Sequence, residues 1–120
     1  MRNRAILSLC LMCIVSLAWG EDRLRVGSKR FTESYILAEV LAQTARPHAP
    51  VELRQGLGNT SIVFAALRTA SIDVYADYTG TVDREILGNR TRSSPAQMRE
   101  QLRPLGLGVE LLIEREERLG

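Results

Sequence analysis

The sequence predicts an α/β fold: a three-layer, parallel-rich sheet with helices on its faces. Two observations predict it. Short apolar runs at residues 24–26, 51–54, 72–76 and 105–113 alternate with segments of helical periodicity, giving the order β-α-β-α-β-α-α-β. The first three runs each end in a polar or aromatic cluster that opens the next helix, which is where open α/β sheets bind small ligands.

Residues 24–26 form a strand ending at Gly27. Thr32 is placed to cap the next helix, Glu33 suits its first turn, and Ile36, Leu37, Val40 and Leu41 give it an apolar face. Pro47 and Pro50 stop it. After the second strand, residues 56–60 read as a turn with Thr60 as cap. Ile62, Val63, Ala66 and Leu67 are the expected buried face of the helix that follows. Residues 72–76 are the third strand, with Asp73, Tyr75 and Asp77 on one side. A helix through Val82, Ile86 and Leu87 ends at Gly88. Ser94 caps the next, with Pro95 at its first position, Met98 and Leu102 facing inward and Pro104 ending it.

Residues 1–20 read as a cleaved export signal. Arg2 and Arg4 give a positive start, residues 5–19 an apolar run too short to span a bilayer comfortably, and Ala18 and Gly20 the small residues before a cleavage site. Cys10 and Cys13 both lie inside that run, so the mature chain is expected to have neither a disulfide nor a thiolate metal site. The chain has 16 basic and 14 acidic residues. Losing Arg2 and Arg4 leaves 14 of each, which gives no argument for nucleic acid. Residues 21–120 suffice for one small domain.

Lys29, beside Gly27 and Ser28 just past the first strand, is placed to meet an anionic group, although on position alone a solvated lysine is the commoner state. Gly56, Gly58 and Asn59 imitate a dinucleotide fingerprint, with Asp73 and Asp77 at roughly the distance of its ribose-binding acid. Ser61 replaces the third glycine, which argues against that reading. Tyr75 and Tyr78 read equally as core residues with hydroxyls at the rim or as walls of a box for a quaternary ammonium ion. Tyr35, Phe31 and Phe64 read as core. His48 is a lone loop histidine, and no nucleophile–base–acid set is present, so neither catalysis nor a metal or other cofactor is expected.

Taken together, VGSKRFTESYILAE, GLGNTSIVFAALR and IDVYADYTGT resemble the N-terminal part of the OpuC/ProX-like substrate-binding proteins, which serve ABC importers of glycine betaine, choline, carnitine and proline betaine. The likeness is strong over residues 24–88 and looser over 94–108. It implies a two-lobed, type II-like receptor that closes around its ligand by a hinge, of which residues 21–108 are part of the first lobe and 109–120 a divergent tail. It implies that Tyr78 faces the trimethylammonium group and that Lys29 and Thr81 lie at the carboxylate end. Ser34, which stands where relatives often carry a polar residue, is a further ligand-binding candidate. The implied partners are a quaternary-ammonium solute and the permease and ATPase of an inner-membrane importer. The implied location is the periplasm. The resemblance also implies that the sequence stops short of the second lobe, so the alternatives are a non-binding remnant or a half-receptor completed by another chain. A small exported nucleotide-binding enzyme stands further off.

Overall fold

The computed structural model describes residues 22–110. The expected export signal and the part of the expected tail beyond residue 110 lie outside them. Among the described residues no helix is long and apolar enough to cross a membrane.

Strand β1 (Leu24–Lys29), helix α1 (Thr32–Ala45), strand β2 (Val51–Gly58) and helix α2 (Thr60–Arg68) form a β-α-β-α run, with β1 and β2 paired in parallel. Leu24 lies opposite Val51, and the register runs evenly to Gly27 opposite Arg54. It then jumps, so that Lys29 faces Gly58. Two steps along β1 match four along β2, which is a bulge in β2. Gly56, at φ +68°, turns the chain there, and the buried Ser28 hydroxyl accepts the Gly56 N–H at 2.9 Å. The expected turn at residues 56–58 is therefore bulged strand, and the helix begins later. Its cap is Asn59, whose side chain accepts from the Ile62 N–H at 3.1 Å, and not Thr60.

Helix α1 departs from expectation at both its start and its face. Phe31, in extended backbone, is its N-cap and supplies no side-chain bond, while Thr32 is the first helical residue. Ser34, Ala38 and Ala42 are the buried positions, and Ile36 and Val40 are exposed. Small side chains let the helix lie close on the sheet, while Leu37 and Leu41 of the expected face are half-buried and Ile36 and Val40 are turned away. Ile62 of α2 is likewise exposed, while Val63 is fully buried.

The third expected strand is reduced to one parallel bridge, Val26 to Val74. Around it the Gly27 N–H donates to the Val74 carbonyl at 2.9 Å, and the Asp73 N–H to the Arg25 carbonyl at 2.8 Å. Residues 72–77 thus lie along the open edge of β1. Gly27 makes this close approach possible, because a Cβ there would stand 2.5 Å from the Ile72 Cδ1 atom. Val26, Val63, Ile72, Ala38 and Ala42 are the buried apolar residues of this half.

After a helical turn at Thr79–Thr81 the chain takes a wider π turn at Val82–Ile86. Helix α3 (Pro95–Leu102) has the expected start: Ser94 and Gln97 form a reciprocal capping box, with Pro95 at the first position. Met98 and Leu102 pack with Val82 in a second, separate cluster. A 3₁₀ turn (Arg103–Leu105) ends it at Gly106. Residues 107–110 carry no strand, so the described part of the expected fourth strand is absent.

Candidate functional site

Everything polar that is buried in the sheet half collects at the C-terminal end of β1. Lys29 is the last residue of the strand, not a loop residue beyond it. Its side chain is 8% exposed and its ammonium donates to Asp77 Oδ1 at 2.7 Å and to Thr60 Oγ1 at 3.2 Å. It also stands 5.3 Å from the centre of the Phe31 ring, within cation–π range. The pairing follows from register: Val26 meets Val74, so Lys29, three residues on, meets Asp77. The GSK motif is accounted for residue by residue. Gly27 admits Ile72, Ser28 satisfies the bulge, and Lys29 crosses to Asp77.

Asp77 is 4% exposed. Its Oδ1 also accepts the Tyr78 N–H at 2.9 Å, whereas its Oδ2 is buried with no hydrogen-bond partner among the described residues. An unsatisfied buried acceptor costs about 1–3 kcal/mol, more when charged. Tyr75 lies near the same carboxylate without forming a hydrogen bond of good geometry to Oδ2. Burial, followed by Asp77's negative charge, pushes the Tyr75 phenol well above the usual tyrosine range.

Beside the pair opens a cleft of about 580 Å³, lined by Lys29, Arg30, Phe31, the start of α2 and Glu85. Tyr78 is 50% exposed at the start of the Thr79–Thr81 turn. Hydrogen bonding to Glu33, and then slight burial, raises its hydroxyl above the ordinary value. Thr81, half-buried, closes the same turn with its N–H donating to the Tyr78 carbonyl. Ser34 is buried on α1's sheet-facing side. Of the four residues singled out in the sequence, only Lys29 lines the cleft. Tyr78 is joined to Lys29 through Asp77, and Thr81 follows in Tyr78's own turn. Sequence reasoning met Asp77 as a ribose-binding acid and missed it as the lysine's counter-ion. The pairing follows from an offset that only the fold sets: 48 residues separate both Lys29 from Asp77 and Arg25 from Asp73, the second ion pair between these segments.

A family model described as the substrate-binding domain of the ABC-type glycine betaine transport system matches residues 22–110. The chain belongs to this family. Among curated members of the glycine betaine-binding group, it is 39% identical over 83 residues to the glycine-betaine-binding protein of Pseudomonas aeruginosa strain PAO1, which covers 66% of this chain and 26% of that protein. It is 33% identical over 75 residues to the glycine betaine-binding protein YehZ of Escherichia coli K12, covering 61% and 25%. The chain thus spans about a quarter of the length of these family members. The family is one of binding proteins, not of enzymes.

Proposed function

We propose that this chain is the exported solute-binding component of an ABC importer for quaternary-ammonium osmoprotectants of the glycine betaine, choline and carnitine type. The observation that carries the proposal is the family match over residues 22–110, together with a buried lysine at the mouth of a cleft. In this reading residues 1–20 are the export signal, residues 21–108 belong to the first lobe of a type II-like receptor, and residues 109–120 are a divergent tail. The protein works in the periplasm beside a permease and an ATPase.

Tyr78 meets the trimethylammonium group through cation–π attraction, worth roughly 0.5–2 kcal/mol per ring. Lys29 and Thr81 hold the carboxylate, and Ser34 is a further, lesser ligand-binding residue. Half-exposed Tyr78 is available for such contact, and Lys29 already faces the cleft.

A second reading, a half-receptor completed by another chain, is favoured by one observation. Ile36 and Val40 of α1, with Phe31 and Ile62 near the cleft, are exposed apolar side chains. Calorimetric titration of the chain with glycine betaine and with choline separates the two. Saturable binding with a single protomer in solution supports the working receptor. Binding only as a dimer, or only with a second protein added, supports the half-receptor. A folded chain that binds neither solute under any of these conditions overturns the proposal.

A further inference from the structure

Lys29 is the one lysine among the chain's 16 basic residues. Every other basic side chain is a guanidinium, which presents a rigid fork, whereas an ammonium is a compact point charge with three donors. Two of those donors are already engaged, one by the carboxylate of Asp77 and one by Thr60. A ligand in the cleft therefore meets a lysine whose charge is balanced by a buried aspartate.

Asp77 is not held there by other hydrogen bonds from side chains. One oxygen takes the ammonium and the Tyr78 N–H, and the other takes nothing among the described residues. The same oxygen thus ties Lys29 to Tyr78, the two residues assigned above to opposite ends of one ligand.

We propose that Asp77 is the specificity-determining residue of this cleft: by balancing Lys29 it weakens the pull on a ligand carboxylate and so narrows the preference for carboxylated over uncharged-tailed quaternary amines. The inference rests on the functional reading above. Glycine betaine and choline share a trimethylammonium head and differ at the other end, a carboxylate against a hydroxyl. Only the first difference feels the net charge around Lys29.

The test uses the 120-residue chain with its single lysine labelled with ¹³C at Cε, so that one signal reports the site. Wild type, Asp77→Asn and the charge-balanced double variant Lys29→Met/Asp77→Asn are titrated with glycine betaine and with choline. Calorimetry gives the affinities of all three. Asp77→Asn is expected to shift the affinity ratio toward glycine betaine by about tenfold, the scale of one unbalanced charge in a partly screened site. In the double variant the tenfold gain toward glycine betaine is expected to be absent, because that gain needs the Lys29 ammonium. It also keeps the proposal testable if the single variant loses its folded circular dichroism, since no buried ammonium is then left without a counter-ion.

Wild-type binding that moves the Lys29 signal, with an unchanged ratio in Asp77→Asn, overturns the role of Asp77 and leaves the functional reading standing. A double variant that keeps the tenfold shift toward glycine betaine overturns it as well, since the gain then does not come from Lys29. If neither solute binds wild type, alone or with a second protein added, the functional reading fails and this inference falls with it. Binding that leaves the Lys29 signal unmoved overturns this inference alone.

Discussion

Two ion pairs join residues 73–77 to β1, and they differ in almost everything except register. Arg25 with Asp73 and Lys29 with Asp77 are each separated by 48 residues, as are the bridged Val26 and Val74. The first pair is a fork. Arg25 donates to Asp73 through Nε at 3.1 Å and Nη2 at 3.0 Å, and its backbone N–H adds a third bond at 2.8 Å. Both side chains remain about a third exposed. The second pair is a single 2.7 Å contact sealed from solvent. The exposed pair fastens the segment, and the buried one sets a charge-balanced lysine in the wall of a cleft. One parallel register placed both, and depth alone gave them different work. A surface pair in water is screened and contributes little. A buried pair is sensitive chiefly to losing one partner.

The largest expected effect follows from that asymmetry. Asp77→Ala leaves the Lys29 ammonium buried and unpaired, at a cost of about 3–5 kcal/mol. In a domain this small that removes cooperative urea unfolding. Replacing both partners by apolar residues of similar size is expected to restore much of it. Equal losses in Asp77→Ala and Asp73→Ala would break the comparison.

A wedge between the two pairs comes next. A Cβ on Gly27 would stand 2.5 Å from Ile72 Cδ1 and 3.1 Å from its Cγ2. Ile72 is almost fully buried, so the clash is not easily relieved. Gly27→Ala is expected to cost about 1–3 kcal/mol, read as a lower urea midpoint, and to loosen both pairs together. Ser94→Ala, which opens the capping box of α3 in the other cluster, is expected to cost about 1 kcal/mol while leaving both pairs intact. Protection of the Asp73 and Tyr78 amides from hydrogen exchange separates the two variants: it falls with Gly27→Ala and holds with Ser94→Ala.

The smallest effect belongs to the exposed pair. The Arg25 hydrogen bond, aided by the Arg25 N–H, holds the Asp73 carboxyl below its ordinary value of 3.8. A carboxyl lowered on folding adds stability that is fully present above its unfolded value and is lost as pH falls through the folded one. Thermal midpoints scanned below pH 4 are therefore expected to drop less steeply in Asp73→Asn than in wild type. Molar salt is expected to shrink the wild-type difference from this variant, and not to restore cooperative unfolding to Asp77→Ala. A salt-insensitive Asp73 pair would blur the distinction.

How far the chain can be read without coordinates varies from residue to residue. The start of α3 was legible because a capping box is local: Ser94, Pro95 and Gln97 act within one turn. The buried Met98 and Leu102 followed from helical spacing alone. The face of α1 was misread for a non-local reason. Apolar spacing favoured Ile36 and Val40, but close packing on the sheet selected the smaller Ser34, Ala38 and Ala42. Gly56 and Gly58 looked like a turn because glycine marks turns and bulges alike, and only the pairing of β2 with β1 distinguishes them.

By itself, the sequence determined the α/β class, the alternation of β1, α1, β2 and α2, the Ser94 cap of α3, and the motifs that mark the family. Each of these rests on neighbours along the chain. Tertiary structure alone decided that residues 72–77 align with β1 at an offset of 48, and so that Lys29 lies buried against Asp77 while Arg25 and Asp73 stay in water. The physical reason is that burial and ion pairing depend on what arrives from far along the chain, and local spacing carries no record of it.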